Sequence, residues 1–381
     1  MITNINISNF KIHDNTDLQL APLTVLTGIN GMGKSSVTQA LLLLRESIVS
    51  DSPSYPRALR LSGNSFNIEG QSGALVNWYH EREADKLNIT LKIDGDDKPA
   101  IFCFVYPMDN KTELLRDPES EVYPQEKLQA NSLFTDSFQY LSAWRYGPEH
   151  SYSNDSNCVD RRQVSRIRGK GEYAVAVLER YANEDIPLKG LALPSPTGSE
   201  IDLSFKNQVS LWLGRISPQV GISIDSEGTE FTLRYNYPGP KGILRSVMPV
   251  NTGFGISYAL SAIVALLITP ANGLIILENP EAHLHPAAQS AFMELVSRAV
   301  ANGIQVIIET HSDHIVFGAL VNLKKNILKK DDVIVHHFDI AESTGRLYIN
   351  PVTIGPDCRI KNPPRHFVEQ MNLDLDVLFD E

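Results

Sequence analysis

Residues 28–35 read Gly28-Ile29-Asn30-Gly31-Met32-Gly33-Lys34-Ser35, the pattern G-x-x-x-x-G-K-S. Its surroundings restrict what the chain can become. Pro22 to Thr27 is a short apolar strand pattern, and Ser36 to Leu44 reads as a buried helix. A strand, a glycine-rich turn and a helix N-terminus form a phosphate cradle, because glycines let backbone N–H groups curl around an anion. In such a loop Lys34 reaches β- and γ-phosphates and the Ser35 hydroxyl ligates Mg²⁺. The expected binding stretch is Asn30, Gly31, Met32, Gly33, Lys34, Ser35 and Ser36, and the expected ligands are ATP and Mg²⁺.

A second feature is the alternation that begins near residue 251. Helix 256–268, strand 273–277, helix 286–301, strand 304–309, helix 312–322 and strand 332–338 follow one another. That order predicts an α/β layer fold with a mostly parallel sheet. Strand-like segments also occur at 87–93, 100–106, 138–143, 220–224 and 229–236, and helical ones at 172–181 and 205–216. Residues 51–70 read as a loop, and 107–135 as a polar, peripheral stretch. No sustained heptads occur between 51 and 250, so a long coiled-coil arm is not expected.

Two apolar strands of the later half end in groups suited to a triphosphate. Gly273 to Leu277 runs into Glu278, where a carboxylate can hold Mg²⁺ directly or through water. Val306-Ile307-Ile308-Glu309-Thr310 ends at His311, a candidate γ-phosphate sensor. Asn251 to Ser261 is a glycine turn opening an apolar helix, and its Gly253, Gly255 and Ser257 suit an anion at a helix N-terminus.

With these residues the chain resembles the ABC-type AAA ATPases of the SMC/RecF/OLD group. Ile7-Ser8-Asn9-Phe10-Lys11 resembles the group's first strand end, and on that resemblance Lys11 contacts nucleotide. Glu278-Asn279-Pro280-Glu281-Ala282-His283-Leu284-His285-Pro286 resembles its Walker B strand end and following loop. Thr310-His311-Ser312 resembles its switch motif, and Asn251 to Ser261 its signature motif. The resemblance covers about half the chain, at both ends. It implies an ABC-type P-loop ATPase head with N-terminal antiparallel strands and an inserted α/β lobe. The implied division is head at 1–50, lobe at 51–245, head again at 246–340 and tail at 341–381. Asn362 to Gln370 resembles the tail of a short prokaryotic branch found in phage-defence loci.

The resemblance also implies that ATP closes two heads into a homodimer, each signature helix facing the partner's γ-phosphate. A separate effector protein would then carry the destructive chemistry. The alternatives are a RecF-like DNA-repair ATPase and a catalytically weak ATP-binding scaffold. Two departures from the group's pattern shape the expectation. Asn279 stands where the group has a glutamate that polarises water, so hydrolysis is expected to be slow, with Glu281 as an alternative base. No acidic cluster of Toprim type ends a strand after His311, so no nuclease is expected here.

Composition restricts the rest. Net charge is −11, with 42% apolar and 21% charged residues, so the surface as a whole does not suit a polyanion. Arg161, Arg162, Arg166, Arg168 and Lys170 are a local exception and a candidate contact for nucleic acid or an acidic partner. No apolar run reaches the length of a membrane span, the first residues lack a secretory pattern, and the three cysteines are scattered. The expected location is the cytoplasm. Gln139 reads as a strand-surface amide, with a metal-contacting glutamine as the alternative, and Arg145 before Gly147-Pro148 is similarly ambiguous.

Overall fold

The computed structural model describes residues 1–50, 56–61, 63, 75, 86–107, 113–166, 168–195, 201–227, 230–240, 243–361, 363–364 and 367. In chain order the first elements are β1 (Ile2–Phe10), β2 (His13–Gln19), β3 (Leu23–Gly28), α1 (Lys34–Ser50), β4 (Ala58–Arg60), β5 (Lys86–Ile93), β6 (Ala100–Val105) and β7 (Glu113–Arg116). The middle holds α2 (Gln125–Ala130), β8 (Phe138–Leu141), β9 (Tyr152–Ser153), α3 (Ser156–Asp160), α4 (Ala174–Arg180), α5 (Phe205–Ile216), β10 (Gly221–Glu227), β11 (Glu230–Pro238) and β12 (Leu244–Val247). Then come α6 (Phe254–Ile268), β13 (Leu274–Glu278), α7 (Pro286–Ala301), β14 (Gln305–Glu309), α8 (Asp313–Lys324), β15 (Val333–Ile340), β16 (Leu347–Pro351), β17 (Thr353–Ile354) and β18 (Ile360–Lys361).

Contacts divide the chain into two compact units. A terminal unit holds 2–61, 69–124 and 307–381, and a central unit holds 125–306 with Met1 and 62–68. The division falls within β14, after Val306.

The terminal unit has an antiparallel sheet in the order β2-β1-β5-β6-β7-β4. Alternation along β1 and β5 puts Ile5, Ile7, Leu87, Ile89 and Leu91 inside. A second sheet holds β15 between β16 and β3, antiparallel to the first and parallel to the second. Leu23, Val25 and Leu26 of β3 are fully buried, the continuous apolar pattern of a strand covered on both faces. Beyond β14, the Thr310 amide donates to the Leu26 carbonyl at 3.0 Å, beside the strand that carries the phosphate loop.

In the central unit β8 runs parallel to β13, and the Gln305 amide at the start of β14 donates to Gly273 O at 2.9 Å. A smaller antiparallel sheet is ordered β10-β11-β12, with β9 also pairing β11. Helix α6 is apolar all round, and every residue from Ala259 to Ile268 is buried. A helix with no polar face has to sit inside its unit.

The expected helices and strands of the second half are present within a few residues. Four expectations are revised. Residues 51–70 contain β4 rather than loop alone. The polar stretch 107–135 contains β7 and α2, which bury Leu114 and Leu128. Strands β5 to β7, expected in a lobe at 51–245, extend the sheet begun by β1 and β2. The tail from 341 supplies β16 to β18, whereas most of Asn362 to Gln370 lies outside the described residues.

Candidate nucleotide site

The phosphate loop lies in the terminal unit between β3 and α1. Gly28 has φ +125°, and a Cβ there would lie 2.1 Å from the Phe338 carbonyl of β15. Only glycine fits this position, so the loop's entry is fixed by the β3–β15 register pair Gly28–Phe338. The Ser36 and Val37 amides donate to Gly33 O at 3.0 and 3.3 Å, which starts the helix.

Lys34 is buried, and its Nζ donates to Gly28 O at 2.9 Å and Ile29 O at 2.7 Å. It is thus folded onto its own loop. Burial lowers its pKa, and the Glu309 charge opposes that shift. Ser35 Oγ donates to Glu309 Oε1 at 2.6 Å. His311 follows on the exposed side of the strand end, and Ser312 caps α8 by accepting from the His314 amide. Asn30 and Gly31 are exposed, Met32 and Gly33 are half-buried, and Ser36 is buried at the start of α1.

Lys11 sits in a left-handed turn at φ +52° and donates to Gln39 of α1, so it is engaged with the helix behind the loop. Its neighbour His13 was not anticipated. His13 is fully buried on β2, with Nε2 3.0 Å from Gly33 O and Nδ1 2.9 Å from Thr16 Oγ1. A carbonyl accepts, so Nε2 carries the proton and Nδ1 accepts from the threonine. Burial pushes the pKa of His13 down to about 4, the Gly33 bond opposes this, and the Lys11 charge adds to it.

Because the folded pKa is depressed, His13 contributes stability above its unfolded pKa near 6.5, and that stability is lost as pH falls towards 4. The contribution is about 3 kcal/mol. In His13→Gln, an amide can still donate to Gly33 O without titrating. Chemical denaturation at pH 7.5, 6 and 5 is expected to show a smaller loss of stability in the variant than in the parent. Parallel pH profiles would contradict this account of His13.

The central unit carries the acidic strand end. Glu278 closes β13, and its carboxylate accepts from Tyr140 Oη at 3.1 Å and from the Ala143 amide at 3.3 Å. Arg145, 3% exposed, donates to Ser142 O at 3.0 Å, Glu278 O at 2.6 Å and Asn279 O at 2.8 Å. Burial lowers its pKa to about 10, against the carboxylates of Glu281 and Glu278, so it remains a cation at neutral pH. Its guanidinium lies 5.5 Å from the Tyr258 ring centroid, and that ring meets His283 edge-on at 4.9 Å. Arg145 therefore ties the strand end to helix α6.

Asn279 has φ +44°. Asparagine tolerates this left-handed conformation better than glutamate, which gives a backbone reason for the amide here. Its Nδ2 lies 3.5 Å from Glu281 Oε1.

The glycine turn before α6 differs in detail from expectation. Gly253 caps the helix and has open space where a Cβ would stand. Gly255 is required by packing instead, since a Cβ would lie 2.5 Å from His283 O. Ser257 does not face outward. It is 6% exposed, with Oγ 3.1 Å from Tyr235 Oη, so its hydroxyl is engaged within the unit.

Two sequence matches join these observations. Residues 1–150 match a family described as AAA ATPase domain, and residues 241–316 match one described as AAA domain, putative AbiEii toxin, type IV toxin–antitoxin system. The SMC head bound to the C-winged helix domain of ScpA aligns with a TM-score of 0.55 at 12% identity, over 92% of this chain and 97% of that one. An SMC head with an extended coiled coil, bound to the C-terminal domain of ScpA from Pyrococcus furiosus, gives 0.51 at 13%, over 100% and 98%. The chain thus carries AAA-type ATPase matches over both ends and has the ABC-type head fold seen in the SMC heads. No curated sequence matches it.

Three of the five cations at 161–170 have local partners in the structure. Arg162 lies 3.6 Å from Glu184 and over the Tyr181 ring, Arg166 pairs with Asp155 at 3.5 Å, and Lys170 lies over Tyr146. Gly169 O accepts from the Ser142 amide at 2.9 Å, and Lys170 O from the Tyr146 amide at 2.7 Å. Gln139 is a correction of the same kind. It is buried and donates to Arg162 O at 2.7 Å, holding this loop against β8 rather than facing solvent. Among the described residues no helix is long and apolar enough to cross a membrane.

Magnesium fits the residues present. Among the described residues no group of three or more His, Cys, Asp or Glu could hold a metal alone. Nucleotide-bound Mg²⁺ does not need one, because phosphates and water complete its oxygen shell. Ser35 and Glu309 offer oxygen donors beside the loop, and Glu278 offers a carboxylate at its strand end.

Proposed function

We propose that this ATPase is a slow, nucleotide-gated switch whose heads pair on Mg–ATP, acting in an anti-phage defence complex with a separate effector protein. The phosphate loop binds ATP, with Lys34 leaving its loop carbonyls for the phosphates. Glu278 serves as the Walker B acid and His311 as the γ-phosphate sensor. Slow hydrolysis follows from Asn279, which can orient a water but takes no proton. Glu281 is the alternative base.

The observation that carries pairing is the start of α6. The helix is buried from Ala259 onward, yet Phe254 is 56% exposed and Gly253 faces open space. Trp144, 81% exposed beside Arg145, adds apolar surface to this unit. Apolar groups of this size at a helix N-terminus suit a face covered by a second copy. The defence setting is supported by the toxin–antitoxin description of the family matched at 241–316. A separate partner is supported by the solved SMC heads, which are bound to ScpA domains. The local partners of Arg162, Arg166 and Lys170 and the acidic net charge favour this reading over a DNA-repair ATPase.

Gly253→Glu tests pairing. The substitution places a carboxylate in open space at an ordinary φ of −69°, where a partner's γ-phosphate would approach. With Mg–ATP or a non-hydrolysable analogue, the parent is expected to shift to dimer mass in light scattering, and the variant to remain monomeric. ATP affinity is expected to stay within about threefold, since like-charge repulsion acts only across the pair. A variant that dimerises as the parent does would remove α6 from the interface.

A further inference from the structure

Glu309 is a buried carboxylate that no motif assigned. It ends β14, is 5% exposed, and lies 2.6 Å from Ser35 Oγ. The backbone just beyond it is held to β3 through the Thr310–Leu26 bond, so the carboxylate cannot withdraw with its strand. Ser35 itself is only half-buried and keeps one side open.

We propose that Glu309 is the acid that orients Ser35 for Mg²⁺ and supplies negative charge on the metal side of the nucleotide site. The inference rests on reading the loop as an ATP site. A serine hydroxyl ligates a cation through its oxygen only when its proton points elsewhere, and Glu309 Oε1 already accepts that proton. Charge balance points the same way. Without nucleotide, Lys34 and Glu309 offset one another across the loop. When Lys34 turns to phosphate, the buried Glu309 charge faces a polyanion, and a divalent cation on Ser35 restores neutrality. Glu309 therefore disfavours metal-free ATP and favours Mg–ATP. A carboxylate whose purpose is only to tether the empty loop would make no such distinction.

The test uses the whole chain and a fluorescent ATP analogue, titrated once with Mg²⁺ and once with EDTA. The quantity read is the ratio of the two dissociation constants. Glu309→Gln keeps a side chain able to bond Ser35 but removes the charge. It is expected to lower the Mg²⁺ advantage tenfold or more, by weakening Mg–ATP while binding metal-free ATP at least as well as the parent. In a Ser35→Ala background the same substitution is expected to have a smaller effect on Mg–ATP, because the route through the hydroxyl is gone, while its effect on metal-free ATP, which comes from the charge, remains. Glu309→Asp, which retracts the carboxylate by one methylene, is expected to fall between the two. It carries the test if Glu309→Gln does not fold by circular dichroism.

An unchanged ratio in Glu309→Gln or Glu309→Asp, with the whole Mg²⁺ dependence lost in Glu278→Gln, would overturn the proposal and leave the ATP site intact. A parent protein that binds no nucleotide under either condition would instead remove the ATP reading itself.

Discussion

Lys34→Ala is expected to weaken Mg–ATP binding by roughly 100-fold or more and to reduce hydrolysis to background. Two charge-assisted hydrogen bonds to phosphate, each worth about 1.5–3 kcal/mol, disappear with the ammonium. The structure adds a second consequence. Lys34 Nζ also satisfies the Gly28 and Ile29 carbonyls, so the empty loop of the variant loses its internal tie. Its thermal midpoint without nucleotide is therefore expected to fall as well. Lys34→Arg separates the two effects, since it keeps the charge but places it on a planar fork too long for those carbonyls. Fluorescence titration gives the affinity and calorimetry the midpoint. Parent-like affinity in Lys34→Ala would mean that nucleotide binds elsewhere.

The largest effect on stability is expected from Arg145→Met. The substitution preserves length and apolar bulk but removes the donor shared by Ser142, Glu278 and Asn279. Three carbonyls then lose their partner beneath a buried surface, at a cost of about 3–5 kcal/mol. The cation over Tyr258 goes too, and with it the link from the acidic strand end to α6. Denaturant melts should show a clear loss, with Arg145→Lys intermediate because it keeps charge but not the fork. Hydrolysis should drop further than stability alone explains, since Asn279 and Glu281 stand on the loop that Arg145 holds. An unchanged melting curve would show that the carbonyls find other donors.

Much of the fold could be read from local pattern. The apolar runs at Leu23–Leu26 and Leu274–Leu277 announce strands covered on both faces, and Ala259–Ile268 announces an interior helix. Lys34, Ser35 and Glu278 follow from chemistry written in consecutive residues. The short strands β4 and β7 did not stand out, because 3- and 4-residue strands carry too little alternation to separate from loop. Glu309 carries the same signal as Glu278, a carboxylate ending a buried strand, but His311 two residues on is the more distinctive group of that strand end.

By itself, then, the sequence determined that a phosphate loop sits between a strand and a helix, and which strands carry acids at their ends. Those properties depend on residues close in the chain, where spacing and side-chain chemistry are enough. Tertiary structure alone decided what each group touches. It placed His13 against Gly33, closed Ser35 onto a carboxylate 274 residues away, and turned Ser257 inward to Tyr235. It also made Arg145 a support for the acidic strand end and gave three of the five cations at 161–170 local partners. These outcomes depend on strand pairing and on which buried polar atoms must find partners, and neither is set by any short stretch of chain.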